Sequence, residues 1–278
     1  ASASTGAATL VRSFGVLEPT ALAFVPGLPD ARDGQPYLAD VPVGGGCPSY
    51  FFGNPTGLPN GLSLSRNGAV LGIPTQSGDF LIQFDLDDSD LSTPGISETM
   101  PLRVFPANDE CVDAITVGDG ETRYRTDGAT TDPSLPTGPC ESGGDQNVPA
   151  DIWYCHWAEC TGDLTVSLCD SDYDSKLTVY PGCECPPART PIACNDDNNV
   201  CAPHTTGAQA TFRATKGEPY LIRVGGYDGY VGQGGLSIQC TECDSDEDCE
   251  DGNLCTVNTC ARGRCSLSFL SCNDSAPC

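Results

Sequence analysis

Basic residues are scarce in this 278-residue sequence. Thirteen Lys and Arg, of which only Lys176 and Lys216 are lysine, stand against 38 Asp and Glu, for a formal net charge of −25. A protein that binds DNA, RNA or anionic lipid draws its affinity from clustered cations, so nucleic acid is excluded as a partner. Apolar runs are short; none approaches the 18 residues that a transmembrane helix requires, so no transmembrane segment is expected. Histidine occurs only at positions 156 and 204, which leaves almost nothing from which to build a zinc site or a Ser-His-Asp triad. HExxH, a nucleophile elbow, a phosphate-binding glycine loop and a dinucleotide-binding glycine motif are all missing, and the sequence reads as that of a non-enzyme.

What is abundant is glycine (32), proline (23) and cysteine (18). Glycine and proline at this density work against long helices and favour strands joined by turns. Eighteen cysteines with two histidines and no repeated CxxC spacing point to disulfides, and hence to an oxidising compartment. The expected location is extracellular or at the cell surface, after removal of a secretory signal from ahead of Ala1.

The cysteines divide the chain. Residues 1–106 contain only Cys47, residues 107–240 contain ten, and residues 241–278 contain seven. The first stretch must therefore rely on an apolar core. Phe80, Ile82, Phe84 and Leu86 alternate onto one face, and Arg66-Asn67-Gly68 supplies a tight turn between two short apolar runs. In the middle stretch Leu164–Leu168, Leu177–Tyr180, Gln209–Ala214 and Tyr220–Val224 read as strands. The last stretch has too few apolar residues for a core and substitutes crosslinks. The fold class expected is all-β: an Ig-like β-sandwich over 1–106, a second disulfide-rich β-sandwich (jelly-roll or CUB-like) over 107–240, and a cysteine-rich module over 241–278.

Three resemblances accompany this division. The segment Gly61–Phe80, with Gly-Leu-Ser-Leu, Asn-Gly, Gly-Ile-Pro-Thr and a following Gly-Asp-Phe, resembles the Ig-like family of bacterial surface proteins related to the cadherin-like domains of dystroglycan. It implies a sandwich that acts as a spacer or adhesion module. Asn108–Cys111, Asp151–Tyr154, Cys169–Tyr180, Cys194–Asp197 and Tyr220–Tyr227 resemble a β-sandwich domain of planctomycete and myxobacterial surface proteins. That domain is similar to pre-peptidase C-terminal and, more loosely, CUB domains. It implies a noncatalytic appendage. Residues 241–272 resemble the cysteine-rich, distantly EGF-like repeats of secreted bacterial proteins.

Two acidic clusters are candidate ligands for calcium: Asp170, Asp172 and Asp174, and Asn195, Asp196 and Asp197, with Asp109 as a further candidate. The competing reading is that both are solvated turns in a chain with 27 Asp. Trp153, Tyr154 and Trp157 are either a ligand-stacking or interface surface or part of the core. Asp244, Asp246 and Asp248 lack the glycine and closing glutamate of an EF-hand. Cys47, following three glycines, is a candidate for a disulfide to the tail of its own chain or of another, or a free thiol. Cys111 paired with Cys240 would join the ends of the middle stretch. The strand-like Ala8–Leu17 is either the first strand of its own sandwich or a strand donated to a neighbour. The leading functional expectation is an extracellular structural or adhesive surface protein, such as a filament or coat subunit, with copies of itself or other surface proteins as partners. The alternative is a noncatalytic carbohydrate- or ligand-binding module of a secreted protein, with glycans as partners.

Overall fold

The computed structural model describes residues 21–25, 27–90, 95–132, 147–197, 199–201, 206–253 and 255–269. Ala8–Leu17 and His204 lie outside the described residues. Among the described residues every strand belongs to a small sheet, and the only helices are short 3-10 turns. None of them is long and apolar enough to cross a membrane.

The first group of strands comprises β1 (Ala23–Phe24), β2 (Ala31–Arg32), β3 (Tyr37–Asp40), β4 (Val43–Gly44), β5 (Phe51–Thr56), β6 (Leu62–Leu64), β7 (Ala69–Gly72), β8 (Gly78–Asp87) and β9 (Ile96–Phe105). They form sheets ordered β2-β9-β8-β5, β3-β7-β6 and β1-β4. The longest pairing, β8 with β9, runs antiparallel from Gly78↔Val104 to Leu86↔Ile96. It turns the expected face of β8 inward: Ile82, Phe84 and Leu86 are buried, with Phe80 packed at the margin. Phe84 meets Phe24 and Phe52 edge-on at 5.0 and 5.9 Å, geometry that suits the aromatic quadrupoles. The Asn-Gly turn forms as the sequence predicts, with Gly68 at φ +90° and its ring-facing side filled by Phe52.

The second group comprises β10 (Ile115–Val117), β11 (Gly120–Arg125), β12 (Ile152–Trp157), β13 (Gly162–Ser167), β14 (Ser175–Pro181), β15 (Ala193–Asn195), β16 (Gln209–Ala214), β17 (Pro219–Gly226) and β18 (Gln233–Thr241). Their two sheets, ordered β10-β12-β17-β14-β15 and β11-β18-β13-β16, share one core. Leu164 and Val166 reach it from one sheet, and Leu177, Val179, Ile222 and Val224 from the other. The back of the larger sheet holds a smaller cluster: Trp153, Tyr180 and Leu221 against the Cys111–Cys185 bond. There Arg223 and Asp151, both buried, pair at 2.9 Å, and the guanidinium lies 5.2 Å from the Trp153 ring centre.

Disulfides then crosslink this sandwich-like unit. Cys155 bonds Cys183, Cys160 bonds Cys240, and Cys169 bonds Cys201. The expected Cys111–Cys240 bond is corrected. Cys111 opens a short turn beneath β12 and meets Cys185, whereas Cys240 lies on β18 opposite Leu164 and meets Cys160 beyond it. Past β18 the chain forms a hairpin of β19 (Thr256–Ala261) and β20 (Arg264–Phe269), held by Cys243–Cys260 and Cys249–Cys265.

Removing the Cys160–Cys240 bond by C160A/C240A opens a loop of 80 residues. Loop-closure entropy makes this a loss of about 4 kcal/mol, read as a lower urea midpoint. Arg223→Met leaves Asp151 buried without its cation and is expected to cost about 3–5 kcal/mol, with D151L/R223M recovering most of the loss in the same denaturation assay.

Candidate functional site

Strand pairing brings parts of the two acidic clusters together. Asp174 immediately precedes β14, and Asp196 and Asp197 immediately follow β15. Because β14 and β15 are antiparallel neighbours with Leu177 opposite Asn195, their acidic ends emerge at the same edge. One carboxylate oxygen from each of Asp174, Asp196 and Asp197 lies within 4.8 Å of the others. Lys176 enters the cluster from β14, with Nζ 3.6 Å from Asp196 Oδ2. Burial raises the Asp174 carboxyl above its ordinary range, the charges of Asp197 and Asp196 add to the rise, and Lys176 opposes it. Asp174 Oδ1 is buried and has no hydrogen-bond donor among the described residues.

The other predicted ligands go elsewhere. Tyr173 turns inward between Asp172 and Asp174. Asp172 Oδ1 accepts from the Gln233 amide at 2.8 Å, and Asp170 pairs with Arg123. Asn195 Oδ1 accepts from the Gln209 amide at 3.4 Å. Asp109 is buried and accepts from Thr130 N at 2.6 Å and Thr130 Oγ1 at 3.1 Å. In the tail, Asp248 Oδ2 accepts from the amides of Asp244 and Ser245. Those amide bonds hold its carboxyl below the usual range in a helix-capping role.

Beside the cluster, β17 ends in Gly225-Gly226 and runs into a 3-10 turn, Tyr227–Gly229. The Tyr227 amide donates to the Asp174 carbonyl at 2.9 Å, and the Tyr230 amide to the Tyr227 carbonyl at 2.9 Å. Asp228 closes the turn at φ 47°, and a Cβ on Gly226 would overlap the Tyr230 carbonyl. This backbone lifts Tyr227 (43% exposed), Tyr230 (59%) and Val231 (43%) into solvent. Lys176 Nζ lies 5.5 Å from the Tyr227 ring centre. Tyr227 thus lies against the buried ammonium that pairs with Asp196, and Tyr230 is exposed at the end of the same turn. Sequence reading missed the tyrosines; the available signal was Gly-Gly-Tyr-Asp-Gly-Tyr, a glycine turn carrying two aromatics straight after a strand.

The predicted aromatic surface is split by the alternation of β12. Trp153 is 0% exposed and Tyr154 is buried on the opposite face in the shared core, so neither presents a stacking surface. Trp157, at the strand's end, is 53% exposed. Cys47 is a half-buried free thiol in this chain, with its amide donating to Asp88 Oδ2 at 2.8 Å.

No family model matches the chain, and no curated protein is similar to it. Among solved structures, a Bacteroides fragilis protein assigned as an α-galactosidase matches with 18% identity and a TM-score of 0.27, over 35% of this chain. The chain spans only 20% of that protein's length. The pre-peptidase C-terminal domain of Bacillus anthracis collagenase matches with 15% identity and a TM-score of 0.30, over 45% of this chain and 94% of that domain. A carbohydrate-binding module of the β-sandwich superfamily matches with 10% identity and a TM-score of 0.24, over 80% of this chain and 99% of that one. Likenesses this weak assign neither a ligand nor an activity.

Gly226→Ala is expected to displace the Tyr227–Tyr230 turn while leaving the sandwich folded. Tyrosine fluorescence and amide spectra should change locally, and the thermal midpoint should fall by only a few degrees, the scale of about 1 kcal/mol.

Proposed function

We propose that the chain is a noncatalytic carbohydrate-binding module of a secreted protein, and that its second unit binds ligand at Tyr227, Tyr230 and the adjoining carboxylates. The observation that carries this reading is the pair of tyrosines held out of the fold by a closed backbone turn. Sugar rings offer apolar C–H faces to aromatic rings and hydroxyls to carboxylates. Binding sites generally combine a mostly apolar surface with a few convergent polar groups. The reading includes an Ig-like identity for the first unit, a jelly-roll or CUB-like one for the second and an EGF-like one for the tail. The disulfides support a location outside the cytoplasm, because such bonds persist only in oxidising surroundings. We place this reading ahead of the filament or coat subunit expected from the sequence because a formed surface carries it.

Screening the protein against immobilised glycans tests it. Tyr227→Ala and Tyr230→Ala are each expected to weaken binding by about tenfold, equivalent to about 1.4 kcal/mol. Retained binding in the double variant would overturn the site, and loss on Trp157→Ala alone would move it to the end of β12. Running the screen with a chelator and with calcium defines the part played by the acidic cluster. Binding that survives the chelator means direct carboxylate contact with hydroxyls. Binding lost to the chelator and restored by calcium means a cation held by Asp174, Asp196 and Asp197.

A further inference from the structure

His156 lies on β12 with its side chain fully buried. Its two ring nitrogens face acceptors. Nδ1 is 3.1 Å from the Val117 carbonyl on β10, and Nε2 is 3.5 Å from Asp119 Oδ1. Neither Nε2 nor Asp119 Oδ1 has a hydrogen-bond partner among the described residues. A carbonyl only accepts, so Nδ1 carries hydrogen. In the neutral ring Nε2 then points a lone pair at a carboxylate. Only the imidazolium donates to both neighbours at once.

The same carboxylate reaches the C-terminal hairpin. The other oxygen of Asp119 pairs with Arg264 of β20. Arg264 also faces Glu159 at 3.7 Å and Glu242 at 4.0 Å. Glu242 fastens the hairpin turn twice: its amide donates to the Gly263 carbonyl at 2.6 Å, and its Oε2 accepts from the Cys265 amide at 2.9 Å. Tyr220 stands opposite His156 on β17, but its hydroxyl accepts from the Thr215 amide at 3.0 Å. Burial, and then Glu159, raise the Asp119 carboxyl, while Arg264, His156 and the Cys240 backbone amide oppose the rise.

We propose that His156 is a proton switch for an ionic clamp, made by Asp119 and Arg264, that holds the C-terminal hairpin against the second unit. A proton taken up at Nε2 becomes a hydrogen bond to Asp119 Oδ1, which keeps that carboxylate ionised and oriented toward Arg264. Loss of the proton leaves a lone pair against Oδ1, and Asp119 then keeps only Arg264 and the Cys240 amide as partners. The hairpin stays tethered by Cys243–Cys260, so the switch changes its hold and not its attachment.

The sign of the pH effect distinguishes this switch from the carboxylates around it. Acidification that neutralises Asp119, Glu159 or Glu242 weakens their hold on Arg264. Protonation of His156, by adding a donor to Asp119, strengthens it. Hydrogen exchange of the Cys265 amide in the full chain, corrected for the intrinsic rate, reads the clamp. Protection is expected to rise severalfold from about pH 8 to about pH 6, to stay flat in H156Q, and to be low throughout in D119N. Protection that falls or stays flat in the unaltered protein, or that rises equally in H156Q, would overturn the proposal. Should H156Q fail to fold, nitrogen NMR of the unaltered protein decides: both His156 nitrogens must carry hydrogen below the transition and Nδ1 alone above it. A neutral ring protonated at Nε2 would refute the switch.

Discussion

Strand β17 is the element on which most of the second unit depends. It pairs along its length with β12 on one side and β14 on the other, and every residue from Tyr220 to Gly226 is buried. Its alternation sends Ile222 and Val224 into the shared core and Leu221 and Arg223 to the opposite face. Arg223 then requires Asp151, because a buried guanidinium without a carboxylate is costly. The same strand ends in the two glycines that release the Tyr227 turn beside Asp174. One strand therefore ties together the core, the buried ion pair and the candidate ligand surface.

The electrostatics of the chain are organised around an excess of negative charge. Most of the carboxylates singled out by their sequence spacing are occupied locally. Asp109 takes Thr130, Asp170 takes Arg123, Asp172 takes Gln233 and Asp248 caps its own turn. Charge is concentrated in two places, with different consequences. At Asp174, Asp196 and Asp197 it is partly buried, with Asp197 exposed, and it lies beside the turn that carries Tyr227. At Asp119, Glu159 and Glu242 it surrounds Arg264 and faces the chain's own hairpin, which suits attachment.

Covalent and noncovalent stabilisation also divide by location. The first unit depends on Phe24, Phe52 and Phe84 and the aliphatic residues around them. The tail hairpin has little to bury, with Leu267 and Phe269 exposed, and disulfides, Cys243–Cys260 and Cys249–Cys265 among them, hold it in place with an arginine. Crosslinks act by restricting the unfolded chain, so they can stabilise a segment whose own burial is insufficient.

Composition and alternation alone determined the all-β class, the dependence on disulfides and the identity of the longer strands. Glycine and proline density, cysteine count and period-two patterning are local properties. β8 and β16 could be read from their residues because each alternates or is β-branched along its length. Shorter strands such as β2, β4, β10 and β15 carry two or three residues and are defined by their partners, and the tail hairpin by its crosslinks. Tertiary structure decided which acidic residues meet, because β14–β15 pairing joins Asp174 to Asp196 and Asp197 while Asp170 and Asp172 diverge. It decided that Cys111 meets Cys185, that Trp153 is core while Trp157 is surface, and that His156 stands between a carbonyl and a carboxylate. All of these are contacts between residues far apart in the chain, fixed by sheet order and register, and no local pattern of side chains encodes them.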